Sequence, residues 1–535
     1  MRLGLPIRLS LLALLAAALT WGALPVPGAT ASSGLQFLGC LTGKLPPVKQ
    51  PHLPRPGGCK LTRTAMLDAE GSGMNHLFGL TASPDGRSLY AVSSREDSVL
   101  GFGTKPLGLR ECFSGIAELG RRGTRACALF PNAGTEDAAT GFNGVKFATV
   151  SPDGRSLYTV SADNAIGIFS RNPGTGKLTY RSCLTGGKGS NSASEDGACK
   201  TIPTATRAFD GLDSGLGGIA SLAVSPDNRF AYVAATVDAA VTTLVRADDG
   251  SLSFRDCISG GLSSFVVGLT SPCAQLPVSA DNPHHSGLRG ISQIVISRDG
   301  TSLYSSSPKT SSVAEFRRDP TTGTLTYSGC ITGEYGRGTG TGDPCTPIPG
   351  AVDVGFDSGM WLIKQLQISR DGRSLYGLSR GDDAVDSFSR DPATGALTYS
   401  GCITGNGELA EDIGNPNPCT TLPGATPHGD GSGLGQPAAL ALDPAGRSLV
   451  VASSKDGALS RFARDPATGA LTYRGCLTGN AKLGRPAGPC TLAKGKGGAH
   501  QLGFAGLSSL AFAAGKLYAT ASGQSAVSSF SVSGD

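Results

Sequence analysis

Histidine is scarce in this 535-residue chain (six residues), tryptophan scarcer (two), and charged residues make up only 16%. Lys and Arg total 46 against 41 Asp and Glu. No one-sided charge is available to hold nucleic acid or an anionic membrane surface. Aromatic residues are 6% of the chain while glycine reaches 78 residues, a balance that argues against a helical core and for a turn-rich β protein. Beyond the N-terminus no segment is apolar enough to span a bilayer. Zinc-type Cys-x-x-Cys or Cys/His spacings are missing, which excludes the common structural zinc sites. Gly-x-Ser-x-Gly, His-Glu-x-x-His and a phosphate-binding glycine loop are missing too. The glycine-rich run 336–342 lacks the lysine-serine pair of a P-loop.

What is present begins with a leader. Arg2 and Arg8 precede a short apolar run at 11–24, followed by Pro25 to Gly28 and the small-x-small tripeptide Ala29-Thr30-Ala31. This pattern predicts a secretory signal peptide over 1–31 and a mature domain over 32–535. Removing two arginines lowers the formal charge from +5 to +3 (44 basic minus 41 acidic). Cys40 lies too far from the cleavage site for a lipid anchor, so no membrane insertion is expected after cleavage.

One phrase then recurs: Ser83-Pro-Asp-Gly-Arg-Ser-Leu-Tyr90, Ser151-Pro-Asp-Gly-Arg-Ser-Leu-Tyr158, and variants with the turn glycine or asparagine at 86, 154, 228, 300, 372, 446 and 515. Seven copies about 70 residues apart mark a repeat architecture. Each copy carries four strand-like runs separated by Asp-Gly and Pro-Ala-Thr-Gly turns, where glycine supplies positive φ. The expected fold is all-β: a seven-bladed β-propeller of four-stranded antiparallel blades. The seventh copy stops at Asp535 after its third strand. Leu35-Gln-Phe-Leu-Gly-Cys-Leu-Thr-Gly43 matches Leu471-Thr-Tyr-Arg-Gly-Cys-Leu-Thr-Gly479, the fourth strand of the sixth copy. The N-terminal strand is therefore expected to complete the last blade and remove an open sheet edge.

The fourteen cysteines fall two per copy. The first of each pair lies on the fourth strand and the second 14 to 19 residues later in the connection to the next blade. An even count with one pair per repeat, behind a leader, reads as a disulfide framework. Local pairing is the simplest: Cys40–Cys59, Cys112–Cys127, Cys183–Cys199, Cys257–Cys273, Cys330–Cys345, Cys402–Cys419 and Cys476–Cys490.

The phrase Ser-Pro-Asp-Gly-Arg-Ser-Leu-Tyr, together with Ala384-Val-Asp-Ser-Phe-Ser-Arg-Asp-Pro-Ala-Thr-Gly-Ala-Leu-Thr-Tyr399, resembles the blades of the 6-phosphogluconolactonase-like family and the related YVTN surface repeats. The resemblance covers essentially the whole mature chain. It implies a seven-bladed propeller and, for an enzyme, lactone chemistry from a His, Glu and Arg site at the channel mouth, often with His-Pro-His before an inner strand. The nearest match here is Pro283-His284-His285.

The connections between blades line one rim of the channel, and a second repeat sits there: Ser72-Gly-Met74, Thr140-Gly-Phe142, Ser214-Gly-Leu216, Ser286-Gly-Leu288, Ser358-Gly-Met360, Ser432-Gly-Leu434 and Leu502-Gly-Phe504. This frame reads as structural, a positive-φ turn followed by an apolar plug. The positions just ahead of it vary, holding Glu70, Asp213, His284 with His285, Asp357, Asp430 and His500, while the second copy has Ala138-Ala139. Variation on a constant frame is where function is grafted onto a fold. Five of the six histidines (His76, His284, His285, His428 and His500) lie within 18 residues before a turn glycine. As a rim these groups, with Lys364, would bind a polar ligand or a divalent cation at the channel mouth. For acid/base work, His284 or His285 would be the base, oriented by Glu70 or an aspartate, with Arg289 or Lys364 steadying an oxyanion.

Two readings of function follow. One is an exported, monomeric binding module with no cofactor, taking a small molecule, glycan or protein at one rim. The other is an exported lactone hydrolase or lactonising enzyme, a carboxylic ester hydrolase with a His-centred site. The first is favoured because no catalytic constellation is visible.

Overall fold

The computed structural model describes residues 33–533 apart from 46–58, 119–126, 136–138, 189–192, 195–197, 207–211, 261–271, 277–285, 335–344, 412–416, 485–487, 495–502 and positions 68, 354 and 410. The leader, His284, His285 and His500 lie outside the described residues. No helix among the described residues is long and apolar enough to cross a membrane.

The alternating apolar runs pair as expected into seven sheets, one per repeat. In the fifth blade the strands run from the channel outward as Ile363–Ile368, Ser374–Ser379, Ala384–Arg390, Leu397–Asn406 and Thr420–Thr426. Each blade therefore has five strands, where the sequence pattern predicts four. The additional outer strand is parallel to the fourth and starts at or beside the second cysteine of each pair. All seven expected disulfides form, with Cα–Cα distances of 4.3 to 4.7 Å. In three blades the bonded cysteines are direct register partners: Cys40 with Cys59, Cys330 with Cys345, and Cys476 with Cys490. Each bridge thus pins the outer strand in place as well as closing a loop. Seven such bridges fit an oxidising compartment.

Closure follows the sequence. The seventh blade runs Leu507–Ala513, Lys516–Ala521, Ala526–Val532, then Leu35–Leu45 and Cys59–Leu67. Leu35–Leu45 pairs antiparallel with the C-terminal strand, from Leu35 opposite Val532 to Thr42 opposite Ala526.

Two sets of contacts tie neighbouring blades. On the face of the Asp-Gly turns, an arginine ending the third strand of one blade reaches into the blade before it. Arg390 has no solvent exposure at its side chain and ion-pairs with Asp299 at 3.1 Å. Its Nε donates to Tyr304 Oη (2.7 Å) and its Nη1 to the Gly372 carbonyl (2.9 Å). Tyr304 in turn donates to the carbonyl of Gly395 (2.5 Å). The same clamp recurs at Arg171–Asp85, Arg246–Asp153, Arg318–Asp227 and Arg464–Asp371. On the opposite face the Gly-plus-apolar frame behaves as a plug. The glycines adopt φ between 71° and 94°, and Met74, Phe142, Leu216, Leu288, Met360 and Leu434 are completely buried between blades, with Phe504 nearly so.

Candidate functional site

The inner strands begin with a shared irregularity. In the first, third, fifth, sixth and seventh blades one residue is extra in the pairing with the second strand: Phe78, Ala220, Lys364, Ala438 and Ser508. A bulge of this kind re-aims a side chain at the end of a strand, and here the side chain is turned to the channel. Lys146 and Ser292 stand just ahead of the inner strands of the second and fourth blades and complete the ring. All seven residues line one cavity of about 520 Å³ at the end of the channel where the chain enters the blades. That is the rim singled out from the sequence.

The ring is not symmetric in charge. Lys146 and Lys364 come from blades three places apart in a circle of seven, so they enter from opposite sides. Arg380, on the turn after the second strand of the fifth blade, adds a third cation, and none of the described lining residues is Asp or Glu. Solvent reaches Lys364 through the open channel, but the surrounding protein strips part of the hydration from both ammonium groups. This burial lowers both pKa values. The Lys364 charge lowers Lys146 further against a partial offset from Asp163, and Arg380 lowers Lys364 further. The carboxyl of Asp163 is itself pushed up to about 6 by burial, despite hydrogen bonds from Ser161 and the Gly141 amide. Phe78 is 41% exposed beside the cations. Gln293, Gln365, Ser508 and Ser509 supply neutral polar atoms.

Of the described residues nominated from the sequence, only Lys364 lines this cavity. His76 stands beside it: its Nδ1 is 3.2 Å from Ser94 Oγ and its ring is 5.7 Å from that of Phe78. Burial and the nearby Arg95 lower its pKa, keeping the imidazole neutral near pH 7. Asp213 and Asp357 belong to the frame instead. Both are buried in left-handed turns (φ 64°) and donate their amides to Asp238 and Asp382. Those two carboxylates each accept the amides of three alternate connection residues, as Asp456 does from Gly431, Gly433 and Gly435. Asp430 pairs with Lys455 at 2.5 Å on the surface. His428 is exposed with φ 59°. Glu70 and Arg289 are exposed on the connections into the first and fourth blades, and neither lines the cavity.

Among the described residues no three His, Cys, Asp or Glu side chains gather as a metal would require. Lys146, Arg380 and Phe78 are the site residues that sequence reasoning missed. Counting back eight from the turn glycine or asparagine of the first six repeats gives Phe78, Lys146, Ala220, Ser292, Lys364 and Ala438; that register was the available signal.

A ring of seven disulfide-closed blades around one channel mouth defines the class: a β-propeller with a cation-lined channel end. No protein-family model matches the sequence, and no curated protein does. Similar solved structures include 6-phosphogluconolactonase-like proteins at low identity. A 6-phosphogluconolactonase-type protein of Bacteroides uniformis is 17% identical, covering 74% of this chain and 83% of its own, with a TM-score of 0.44. The periplasmic gluconolactonase of Pseudomonas aeruginosa is 17% identical over 75% and 84%, with a TM-score of 0.43. The hydrazine synthase of Kuenenia stuttgartiensis is 13% identical over 86% and 97%, with a TM-score of 0.44. The fold assignment rests on this chain's own strand order and closure.

Proposed function

We propose that the protein is an exported binding propeller that captures a small organic anion at the channel mouth. The observation that carries this reading is the opposition of Lys146 and Lys364, with Arg380 beside them and no carboxylate in the described lining. Two partly desolvated lysines beside the exposed Arg380, offset only in part by Asp163 behind Lys146, are costly to hold together, and an anion between them removes that cost. Charge-assisted hydrogen bonds contribute about 1.5–3 kcal/mol each. The neutral hydroxyl and amide groups and the exposed Phe78 ring suit a polyhydroxylated body attached to the anionic group. The predicted leader and the seven disulfides support a capture outside the cytosol.

The test is a calorimetric titration of the oxidised mature protein with gluconate and with glucose, its uncharged relative. Binding of gluconate with no heat from glucose supports the reading; equal responses, or none from gluconate, overturn it. The lactone-hydrolase alternative, centred on His284 and His285, is settled in parallel. Acid release from sugar lactones at constant pH, abolished in the His284→Ala/His285→Ala double variant, would make the protein an enzyme.

A further inference from the structure

One aromatic pair on the channel rim has no counterpart in the other blades. Trp361 follows the apolar plug Met360 by one residue, a position held by Asn75, Asn143, Gly217, Arg289, Gly435 and Ala505 in the other repeats. Its ring packs against that of Phe356, with centroids 4.3 Å apart and planes at 60°. The backbone holds it from both sides: the Trp361 amide donates to Asp382 Oδ2 (2.8 Å), and its carbonyl accepts the Gly381 amide (3.1 Å). Gly381 is what lets the indole lie there. A Cβ at Gly381 would overlap the six-membered ring of Trp361. The first, third, fourth and sixth blades carry Arg95, Val237, Lys309 and Lys455 at this place in the turn after the second strand.

This seat adjoins the cation-lined mouth. Lys364 follows Trp361 by three residues, and Arg380, which also lines the cavity, immediately precedes Gly381. Trp361 is half-buried and Phe356 is 41% exposed. Among the described residues Phe356 and Phe78, which lines the cavity itself, are the two exposed phenylalanines, and both lie on this rim. What such a surface takes is set by its surroundings. The C–H face of a pyranose ring is positively polarised and stacks on the negative face of an aromatic ring. The hydroxyl groups of the sugar are then left to meet Arg380 and the neutral side chains of the mouth, among them Gln365 and Gln367. A flat aromatic ligand would be gripped between parallel faces, and rings meeting at 60° offer none. A hydrocarbon chain would gain nothing from the cations. Resting on the reading that the mouth takes an organic anion, we infer that Phe356 and Trp361 form a stacking subsite for the next sugar ring. The ligand class is then an acidic oligosaccharide with one carboxylate between the lysines.

The test uses the oxidised mature protein with tri-galacturonate, gluconate, maltotriose and 2-naphthoate. Trp21 lies in the predicted leader, so Trp361 is the one tryptophan of the mature chain, and its emission reports stacking directly. Tri-galacturonate should change that emission, and calorimetry should show it binding at least tenfold more tightly than gluconate. Maltotriose, which has no carboxylate, should do neither. Trp361→Ala should cut the advantage of the trimer over gluconate to less than about threefold, and Trp361→Phe should restore part of it. Phe356→Ala, which removes an exposed ring, should lower the same advantage and keeps the test decisive if Trp361→Ala misfolds. Gluconate binding with no gain from the trimer, or a gain that persists in the folded variants, overturns the subsite while the anion reading stands. No binding of either anion overturns both. 2-Naphthoate binding as tightly as the trimer, and losing that affinity in Trp361→Ala, would put an aromatic acid in place of the sugar and overturn the inference as well.

Discussion

The Arg390 clamp allows the sharpest test of what holds the ring together. Replacing Arg390 with methionine keeps an unbranched apolar stem but removes the ion pair to Asp299 and the hydrogen bonds to Tyr304, Ser302 and the Gly372 carbonyl. Tyr304 Oη and the Gly372 carbonyl lose a donor in a buried position. Removing one partner of a buried charged network costs about 3–5 kcal/mol. Unfolding entropy near 2.1 cal/mol/K per residue gives about 1 kcal/mol per degree for a chain of this size, so Tm should fall by about 3–5 °C. The pH dependence carries a second signature. Burial pushes the Asp299 carboxyl up, but hydrogen bonds from Ser297 and Thr301 and the Arg390 charge outweigh it and hold the group at about 2. A depressed carboxylate contributes stability that is present above its unfolded pKa near 4 and is lost as pH falls toward 2. The Asp299 side chain is 41% exposed, so solvent screening reduces that contribution to about 1 kcal/mol. Differential scanning calorimetry of both proteins from pH 7 to pH 2 should show a Tm gap that narrows below pH 4. A gap under 1 °C at pH 7, or one that does not change with pH, would refute the reasoning.

Glu315, pushed up to about 7 by burial while it accepts the Leu397 amide at 3.1 Å, works in the opposite sense. The folded state keeps its proton longer than the unfolded state, so stability is lost as pH rises from about 4.5 to 7 and stays reduced above that. Glu315→Gln should therefore stabilise the protein at pH 8 by on the order of 2 kcal/mol, about 2 °C in Tm, and change little at pH 4; denaturation at the two pH values checks this. Gly73 has φ 79°, and a Cβ there would lie 2.5 and 2.6 Å from the sulfurs of Cys112 and Cys127. Gly73→Ala should lower Tm by several degrees or yield a free thiol pair in the first blade, read by thiol titration, whereas Gly431→Ala, which meets nothing within 4 Å, should retain all seven bridges. Because burial lowers the Lys146 and Lys364 pKa values, a bound anion should raise them. Gluconate binding at alkaline pH should then take up protons, visible as a dependence of the calorimetric heat on the ionisation enthalpy of the buffer.

Blade number, closure by residues 35–43 and every disulfide were legible in the sequence, because each depends on a local pattern that recurs seven times. The fifth strand was not, since Pro131, Pro203, Pro349 and Pro423 interrupt it and a proline inside a short run argues against a strand. A disulfide to the neighbouring strand overrides that local signal. The site was only partly legible. Lys364 was nominated only as a rim cation, and Lys146 and Phe78, at the same distance before their turn glycines, stood out only once the structure showed which side chains face the axis. Asp213 and Asp357 misled because a carboxylate ahead of a Ser-Gly turn has the same sequence whether it faces ligand or frame. The amides that Asp238 and Asp382 gather resolve the matter for the structure.

The central claim, an anion held between opposed lysines, is tested most directly by titrating gluconate into the parent protein and into Lys146→Met/Lys364→Met at 20 mM and 500 mM salt. The account expects the parent to bind at low salt and weaken as salt rises, and the variant to bind at least tenfold more weakly at low salt with little further change. Equal affinities in the two proteins, or binding by the parent that ignores salt, would contradict it.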